Sequence, residues 1–403
     1  MNSLLKNKVF LIVVGADLLQ QMGIWIRNMA LLFYIMEQTN NNPTAVSMLT
    51  ALEYLPIFVF SLIGGTFADR WEPKKTVILG DTLSALSMLL ILLLISVGMW
   101  QAVFAATVIS AIVSQFSQPS SAVLFKKHIP TESVGTAIGI NQSLLAIFTI
   151  FGPVLGTFVY SQFGVKFSII MLFIIFMVAA LIQLFLPSSS EVKKASKGSA
   201  ISDIKEGLKY VMGNTNLKLI AAMFLISGLA MGITQPLDVF VTMERLGLPK
   251  ENVQWFAASE GVGMLVGGTL AAIFTKWIDR HRRIIITSTL ISWGIITLVE
   301  VLSIWPILTG SARALSGITT AFFQVVFSAM MIKEVQAEYI GRTNGIIMPL
   351  MMGGMLLGSA SSGFIVNQID LVGAYLIAAI LTISCTILTV RLKLETSLYK
   401  VNQ

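Results

Sequence analysis

The sequence is poor in charge, cysteine and histidine, and each shortage excludes a class of protein or of site. Only 12% of its 403 residues are charged, whereas soluble domains carry about 25%, so a soluble globular protein is excluded. The single cysteine, Cys385, lies in an apolar run and rules out a disulfide within the chain. The two histidines, His128 and His281, stand beside basic residues. We therefore expect no metal site, no cofactor and no enzymatic activity.

In place of charge the sequence has long apolar runs. Hydrophobic residues make up 55% of the chain, and the runs are continuous, without the alternation that marks a β-strand. Runs of about 20 residues are long enough to cross a bilayer, where the backbone must satisfy its own hydrogen bonds as a helix. The sequence therefore predicts an all-α polytopic membrane protein with twelve transmembrane helices, which span residues 8–37, 43–68, 75–97, 101–124, 133–162, 165–187, 216–243, 252–276, 283–303, 306–331, 338–367 and 370–392.

The basic residues indicate how the spans are oriented. Of the 27 Lys and Arg residues, 22 fall on one side of the predicted spans, and three, Lys166, Arg245 and Lys250, fall on the other. Because Lys and Arg concentrate in cytoplasmic loops, this asymmetry predicts that both termini are cytoplasmic. The net charge of +7 then follows from topology, and nucleic acid is not an expected partner. We expect a multi-pass protein of the inner (cytoplasmic) membrane of a bacterium, with its first span retained rather than cleaved.

One long connection divides the chain. Residues 188–215 are rich in Ser and Lys at their start, and Ile204, Leu208 and Val211 then follow at helical spacing with charges between them. This pattern predicts a short amphipathic helix on the membrane surface. The connection separates an N-terminal six-helix bundle, residues 1–187, from a C-terminal six-helix bundle with a short tail, residues 216–403.

The two halves share glycine patterns. Three patterns of the first half recur in the second with a shift of 203 or 206 residues, which is close to half of the chain. A shift of this size predicts two parallel six-helix repeats. The matched patterns are Gly64-Gly65-Thr66 with Gly267-Gly268-Thr269, Gly135 and Gly139 with Gly341 and Gly345, and Gly152 with Gly358.

A charged stretch between spans 2 and 3 carries the first family resemblance. It reads Gly64-Gly65-Thr66-Phe67-Ala68-Asp69-Arg70-Trp71-Glu72-Pro73-Lys74-Lys75. The stretch resembles motif A of the major facilitator superfamily, G-x-x-x-D-R-x-x-x-[RK]-[RK], and departs from the family's pattern at Glu72-Pro73. The resemblance implies a cytoplasmic gate, in which Asp69 faces the start of helix 11 and Arg70 reaches Asp81 or a neighbouring carboxylate. The matching residues are Gly65, Asp69, Arg70, Lys74 and Lys75.

A second resemblance lies in span 5. Gly152-Pro153-Val154-Leu155-Gly156 resembles motif C of the drug:proton antiporter branch, which implies export rather than uptake. A kinked packing helix is the alternative. The family's arginine in span 4 is missing, while Arg313 begins an R-x-x-x-G pattern in the equivalent span 10. Other stretches are similar to proteins of the macrolide-efflux and enterobactin-exporter type, namely Ala30–Tyr34, Pro56, Ser117-Gln118-Pro119 and Tyr339–Arg342.

Seven charges lie within the spans, where charge is costly and indicates function. The resemblance places helices 1, 4, 7 and 10 around a central cavity, so that Asp17, Arg27, Asp238 and Arg313 face it. Glu300 falls near the outer mouth on an outer helix, and we assign it no role. Span 1 carries a polar stripe within an arc of about 120°, for which a satisfied structural network is the alternative. The remaining charges are Glu53 and Glu260, and the stripe consists of Asp17, Gln20, Gln21, Arg27 and Asn28.

Depth within the membrane pairs some of these charges. Arg27 and Glu53 lie at equal depth on adjacent spans, which predicts an ion pair between the two helices. Glu260 and Arg313 also lie at similar depth. Asp17 has no evident cation at its depth in the sequence, so we expect it to bind and release a proton. The further proton-coupling candidates are Asp238, Glu260 and Glu53.

These features predict a proton-coupled antiporter that exports bulky amphiphilic compounds, such as drugs or macrolides, by alternating access. Two alternatives stay open. One is a siderophore or other metabolite exporter, which would use Arg27 and Arg313 for an anion, and the other is a lipid transporter, flippase or non-transporting scaffold. The expected partners are the small amphiphile, protons and the lipid bilayer, with the protein a monomer. The residues expected to line the substrate cavity are Gln20, Gln21, Trp25, Arg27, Asn28, Phe148, Gln235, Arg313 and Phe322.

Overall fold

All regular elements of the described residues are helices. The computed structural model describes residue 4 and residues 6–61, 72–187 and 200–392. The chain forms two compact units, one made of Met1–Ala200 with Pro249–Ala258 and the other of Ile201–Leu248 with Ser259–Gln403. The change from one unit to the other at residue 200 falls within the predicted connection, 188–215.

Five helices of the described residues lie in the first unit. They are α1 (Lys8–Gln38), α2 (Pro43–Ser61), α3 (Pro73–Ser96), α4 (Ala102–His128) and α5 (Thr131–Gln183). Asn7 caps α1, because its side-chain oxygen accepts the backbone N–H groups of Val9 and Phe10 at 2.9 and 3.2 Å. Pro73 is the first residue of α3. The backbone N–H at this position has no acceptor within the helix, so proline costs no hydrogen bond here.

Seven helices of six or more residues in the described part of the chain contribute to the second unit. They are α6 (Ala200–Gly213), α7 (Thr215–Thr234), α8 (Val253–Ile273), α9 (Thr275–Arg280), α10 (Arg282–Leu302), α11 (Pro306–Glu334) and α12 (Ile340–Val390). After α7 the chain passes through a 3-10 turn, Gln235–Leu237, and a π turn, Val241–Arg245. Pro236 explains the change of geometry, because it lacks the N–H that would continue the α-helical hydrogen bonds.

The two longest helices are each broken at a single residue. The 53-residue helix α5 has φ 72° and ψ −179° at Gly164, and the 51-residue helix α12 has φ 74° and ψ 178° at Asp370. The two breaks are 206 positions apart, which is the shift of the glycine repeats. Asp370 adopts this unusual conformation with its Oδ1 accepting the N–H of Gly373 at 2.8 Å. The break at Gly164 falls between the predicted spans 133–162 and 165–187, and the break at Asp370 falls at the first residue of the predicted span 370–392. The helices α5 and α12 therefore each contain two predicted spans.

Nine helical segments in the described residues are long and apolar enough to cross a membrane. The broken helices α5 and α12 account for two of them. A shorter apolar segment, Ala102–Val113, forms the start of α4, where the sequence predicts a further span. The prediction of an all-helical polytopic membrane protein is confirmed, and the cytoplasmic location of the termini stays a prediction.

Glycines let α7 and α12 pack backbone against backbone. Gly228 and Gly232 of α7 interleave with Gly354 and Gly358 of α12. A Cβ added at any of the four would lie 2.2–2.4 Å from a carbonyl oxygen of the other helix. Small residues at such a crossing are typical of membrane helices, because they allow the close approach that gives strong van der Waals contact.

The helix α6 is the predicted amphipathic helix, but its apolar side packs on protein. Val211 is 1% exposed within the hydrophobic core of the second unit, and Ile204 packs against the same core. Leu208 is 49% exposed. The prediction of a membrane-facing apolar side is therefore wrong for Ile204 and Val211, because Gly207 lets α6 approach the backbone of α12 at Arg342.

Candidate functional site

A buried arginine of the second unit lies among three carboxylates. Arg313 of α11 forms an ion pair with Asp238, which follows the 3-10 turn after α7. Its Nη1 lies 3.3 Å from Glu260 Oε2 on α8, and its Nε lies 3.5 Å from Glu300 Oε1 on α10. The Tyr375 hydroxyl of α12 donates a 2.8 Å hydrogen bond to Asp238 Oδ1. We call these five residues the Arg313 cluster.

Acids outnumber bases in the Arg313 cluster. One guanidinium faces three carboxylates, so negative charge is in excess when all three are ionised. The side chains of Arg313 and Glu300 are 11% and 7% exposed, so water screens their charges weakly. Uptake of protons by the carboxylates removes the excess, and their release restores it. The cluster is therefore chemically able to load and unload protons.

A balanced ion pair occupies the first unit. Arg27 of α1 is 4% exposed, and its Nη2 lies 2.9 Å from Glu53 Oε1 on α2. The guanidinium also donates to the Ser110 hydroxyl of α4 and, at 2.8 and 3.1 Å, to the side-chain oxygen of Asn28. Equal depth in the sequence predicts this pair. One base meets one acid here, and other guanidinium donors are hydrogen bonded, which suits a structural role.

A second polar group of the first unit is built from amides and carboxylates. Gln20 donates to both oxygens of Asp81 at 2.9 Å, and Gln183 donates to Asp81 Oδ2 at 2.9 Å. Asn141 donates to Asp17 Oδ2 at 3.0 Å. The Asp17 carboxylate therefore accepts a hydrogen bond from an amide of α5, and its role in proton coupling stays a prediction.

The predicted cytoplasmic gate is described only in part. Three of its residues lie outside the described ranges, namely Gly65, Asp69 and Arg70. Lys74 donates to the backbone carbonyl of Leu186, and Lys75 forms a 2.8 Å ion pair with Glu72. Asp81, the predicted partner of Arg70, is 3% exposed and bonded to the two amides named above.

The Gly-Pro stretch of α5 packs closely on α1. A Cβ added at Gly156 would lie 2.5 Å from the Trp25 carbonyl oxygen, and one added at Gly152 would lie 2.3 Å from the Trp25 ring. Pro153 lies between them inside the helix. The two glycines therefore hold α1 and α5 in contact, and Trp25, predicted to line the cavity, packs against them.

The other residues predicted to line the cavity show no common grouping. Phe322 packs against the hydrophobic core of the second unit, which favours a packing role. Gln21 and Phe148 are half-buried in the first unit, and Gln235 is exposed in the 3-10 turn before Asp238.

Two members of the Arg313 cluster are missed by sequence reasoning. The sequence suggests no partner for Glu300, and the expectation that its span is an outer helix left it without a role. The structure nevertheless brings Glu300 Oε1 to 3.5 Å from Arg313 Nε, so leaving Glu300 without a role was wrong. Its signal was the charge itself within an apolar span. Tyr375 carries no comparable signal, since a tyrosine in a membrane helix is common.

Comparisons with known proteins agree with this architecture. The sequence profile of the Major Facilitator Superfamily matches residues 14–291 and 262–403. An uncharacterized MFS-type transporter, YkuC, of Bacillus subtilis (strain 168) is 28% identical over 361 residues, covering 86% of this chain and 83% of the relative. Macrolide efflux protein A of Streptococcus pyogenes is 24% identical over 378 residues, covering 90% of each chain. The crystal structure of the nucleoside transporter NupG is similar in fold, with a TM-score of 0.74 at 15% identity over 95% of this chain and 98% of that one.

Proposed function

Since the chain belongs to the Major Facilitator Superfamily, a family of transporters and not of enzymes, we propose that it is a proton-coupled exporter of bulky amphiphilic compounds. The observation that carries the proposal is the Arg313 cluster, in which three carboxylates share one buried guanidinium. The similarity to macrolide efflux protein A supports a drug-like substrate and outward transport.

The cluster supplies a coupling step that depends on charge. When its three carboxylates are ionised, each contacts Arg313 from a different segment of the chain. The excess of negative charge then favours the uptake of protons. Protonation of Asp238, Glu260 or Glu300 weakens one of these contacts, so the balance between two conformations of the transporter shifts. Substrate binding then favours the deprotonated arrangement, and the proton leaves on the other side of the membrane.

The first unit supplies a second acidic group. Asp17 is the first choice from sequence, and it lies one helical turn from Gln20, which binds Asp81. We rank it behind the Arg313 cluster, because in the cluster three carboxylates compete for one cation. The Arg27–Glu53 pair is balanced, so we assign it to holding α1 against α2 rather than to proton transfer.

An anionic substrate fits the geometry less well. A siderophore or similar anion would need a guanidinium to bind, and Arg27 and Arg313 both contact carboxylates already. The anion would have to displace Glu53 or the carboxylates of the cluster. A neutral or cationic amphiphile meets no such competition.

Transport by the purified protein in liposomes tests the proposal. The probes are erythromycin and ethidium, with and without an imposed pH gradient, and nigericin collapses the gradient as a control. We expect gradient-dependent movement of at least one probe. Glu260→Gln, Glu300→Gln and Asp238→Asn should each reduce the dependence on the gradient. Asp17→Asn, measured in parallel, shows whether the first unit contributes.

Glu244→Gln is the matched control for these variants. Glu244 lies six residues after Asp238 on the same irregular segment, is exposed, and is not part of the cluster. Its neutralisation should leave coupling at the wild-type level. The proposal fails when the wild-type protein moves neither probe in response to the gradient, or when all three cluster variants keep wild-type coupling.

A further inference from the structure

The helix α6 is anchored to the second unit through the start of α12. The Tyr210 ring stacks on Tyr339 with centroids 4.2 Å apart and planes 4° apart. Glu206 forms a 3.1 Å ion pair with Arg342, and a Cβ added at Gly207 would lie 2.8 Å from the Arg342 carbonyl oxygen. With Val211 in the core, these contacts fix which side of α6 faces outward.

The position of α6 along the chain places it at the edge of the membrane. The helix ends at Gly213, and Asn214 caps α7, which is the first part of the candidate span Thr215–Arg245. With a rise of about 1.5 Å per residue, the last turn of α6 lies within a few residues of the apolar layer. The helix α6 itself lies outside the apolar layer, because its charged residues Lys205, Glu206 and Lys209 would be costly to bury there.

The outward side of α6 combines two lysines with two large apolar residues. Lys205, Leu208, Lys209 and Met212 follow at spacings of three, one and three, which places them on one side of the helix. Leu208 and Met212 are 49% and 57% exposed, and both lysines are exposed. Glu206 does not neutralise this side, because its carboxylate is bound to Arg342.

We propose that this side of α6 binds the headgroups of anionic phospholipids. Lys205 and Lys209 contact lipid phosphates, while Leu208 and Met212 enter the boundary between headgroups and acyl chains, as interfacial helices do. Positive charge in this place complements an anionic lipid surface, and zwitterionic lipid offers no net charge to match. Because α6 is fixed to Tyr339 and Arg342, bound lipid also restrains the start of α12.

A fluorescent label at position 212 reports the contact. Cys385 is completely buried, so a Met212→Cys variant takes an environment-sensitive dye such as NBD at one site. The labelled protein is placed in nanodiscs of phosphatidylcholine alone or with about a quarter of phosphatidylglycerol. We expect a blue-shifted, brighter emission with phosphatidylglycerol. Each lysine contributes roughly a fivefold preference for the anionic lipid.

Charge variants decide the outcome. Lys205→Gln/Lys209→Gln should abolish the response to phosphatidylglycerol, whereas Lys205→Arg/Lys209→Arg should keep it. Lys6→Gln/Lys8→Gln removes the same charge from exposed positions of the first unit and should also keep it. The proposal is overturned when emission is the same in both lipids, or when the two glutamine variants respond equally. The arginine variant shows that a lost response reflects charge and not misfolding.

Discussion

Glu53 and Glu260 lie 207 residues apart at corresponding places in the two repeats, and each contacts an arginine from a different helix. Glu53 on α2 pairs with Arg27 of α1, whereas Glu260 on α8 pairs with Arg313 of α11. Arg27 also reaches Ser110 of α4, the counterpart of α11. In both units an arginine side chain therefore reaches the helix that carries the glutamate. The arginine itself belongs to α1 in the first unit and to α11 in the second. Arg27 thus provides the charge that span 4 lacks.

Removing one member of the Arg27–Glu53 pair should destabilise the protein more than removing both. Glu53→Gln leaves a buried guanidinium without its counter-charge, and breaking a buried pair costs about 3–5 kcal/mol. We expect the low end of this range, because Glu53 is 29% exposed. The double variant Arg27→Gln/Glu53→Gln leaves no charge uncompensated and should recover part of the loss in a thermal unfolding measurement.

The control for this cycle is Glu132→Gln. Glu132 is an exposed carboxylate at the start of α5, and its neutralisation should change the unfolding midpoint little. Additive losses in the double variant would show that the two charges are not coupled, which is incompatible with a structural ion pair.

An alanine at Gly164 should destabilise the protein through the backbone alone. Side chains rarely adopt a φ of 72° with ψ near 180°, and the strain costs about 1–3 kcal/mol. A Cβ there meets no atom within 4 Å. Gly135→Ala in the same helix is the matched control, because its Cβ also meets nothing and helical geometry favours alanine by roughly 0.5–1 kcal/mol. Unfolding midpoints should therefore move in opposite directions, and a shared direction would contradict the break at Gly164.

An alanine at Gly156 should separate α1 from α5. Its Cβ would lie 2.5 Å from the Trp25 carbonyl oxygen, and backbone cannot move aside as a side chain can. Overpacking of this kind costs typically 1–3 kcal/mol. Gly139→Ala has open space in the same helix and serves as the control. Thermal unfolding measures both, and an unchanged midpoint for Gly156→Ala would show that the two helices are not held by this contact.

Stability at acid pH should depend on Asp279, which lies outside the candidate spans on α9. Burial acts to raise the pKa of its carboxyl, but Lys333 and Arg282 outweigh this effect and lower the pKa below the usual 3.8. The unfolded state then binds the proton more readily, so the stabilisation is complete above the usual pKa and is lost as pH falls through the lower, folded value.

The measurement compares unfolding midpoints of wild type and Asp279→Asn from neutral pH to about pH 3. Wild type should lose more stability over the acid part of this range. The difference should stay below about 1 kcal/mol, because Asp279 and Lys333 are 31% and 39% exposed. Parallel curves for the two proteins would rule out the contribution of this carboxylate.

The fold is largely predictable from the sequence, because the length and apolarity of a run are local properties. The gap between the predicted spans 133–162 and 165–187 contains Gly164, a residue type that permits positive φ. Asp370 gives no such signal, and only the shift of 206 relates it to Gly164. The packing of α6 was missed because Ile204 and Val211 have the same spacing whether they face lipid or protein.

The site is less predictable than the fold. The sequence shows how deep a residue lies along its helix, but it does not show how the helix is rotated about its axis. Equal depth pairs Arg27 with Glu53 and Arg313 with Glu260. The polar residues of α10, such as Thr287 and Ser288, are spread around the helix, so nothing in the sequence fixes the side that Glu300 faces. Its position beside Arg313 comes from the packing of α10 against its neighbours.

The breaks at Gly164 and Asp370 also decide where a label can be inserted between two helical passages. A connection of one residue is too short to be bound by an antibody or cleaved by a protease. An insertion there would also push two helices apart. The turn between α1 and α2 differs, because Asn40 and Asn41 are exposed and already in left-handed conformations. An epitope tag placed at Asn40 and Asn41 would mark this end of the helices without disturbing their packing.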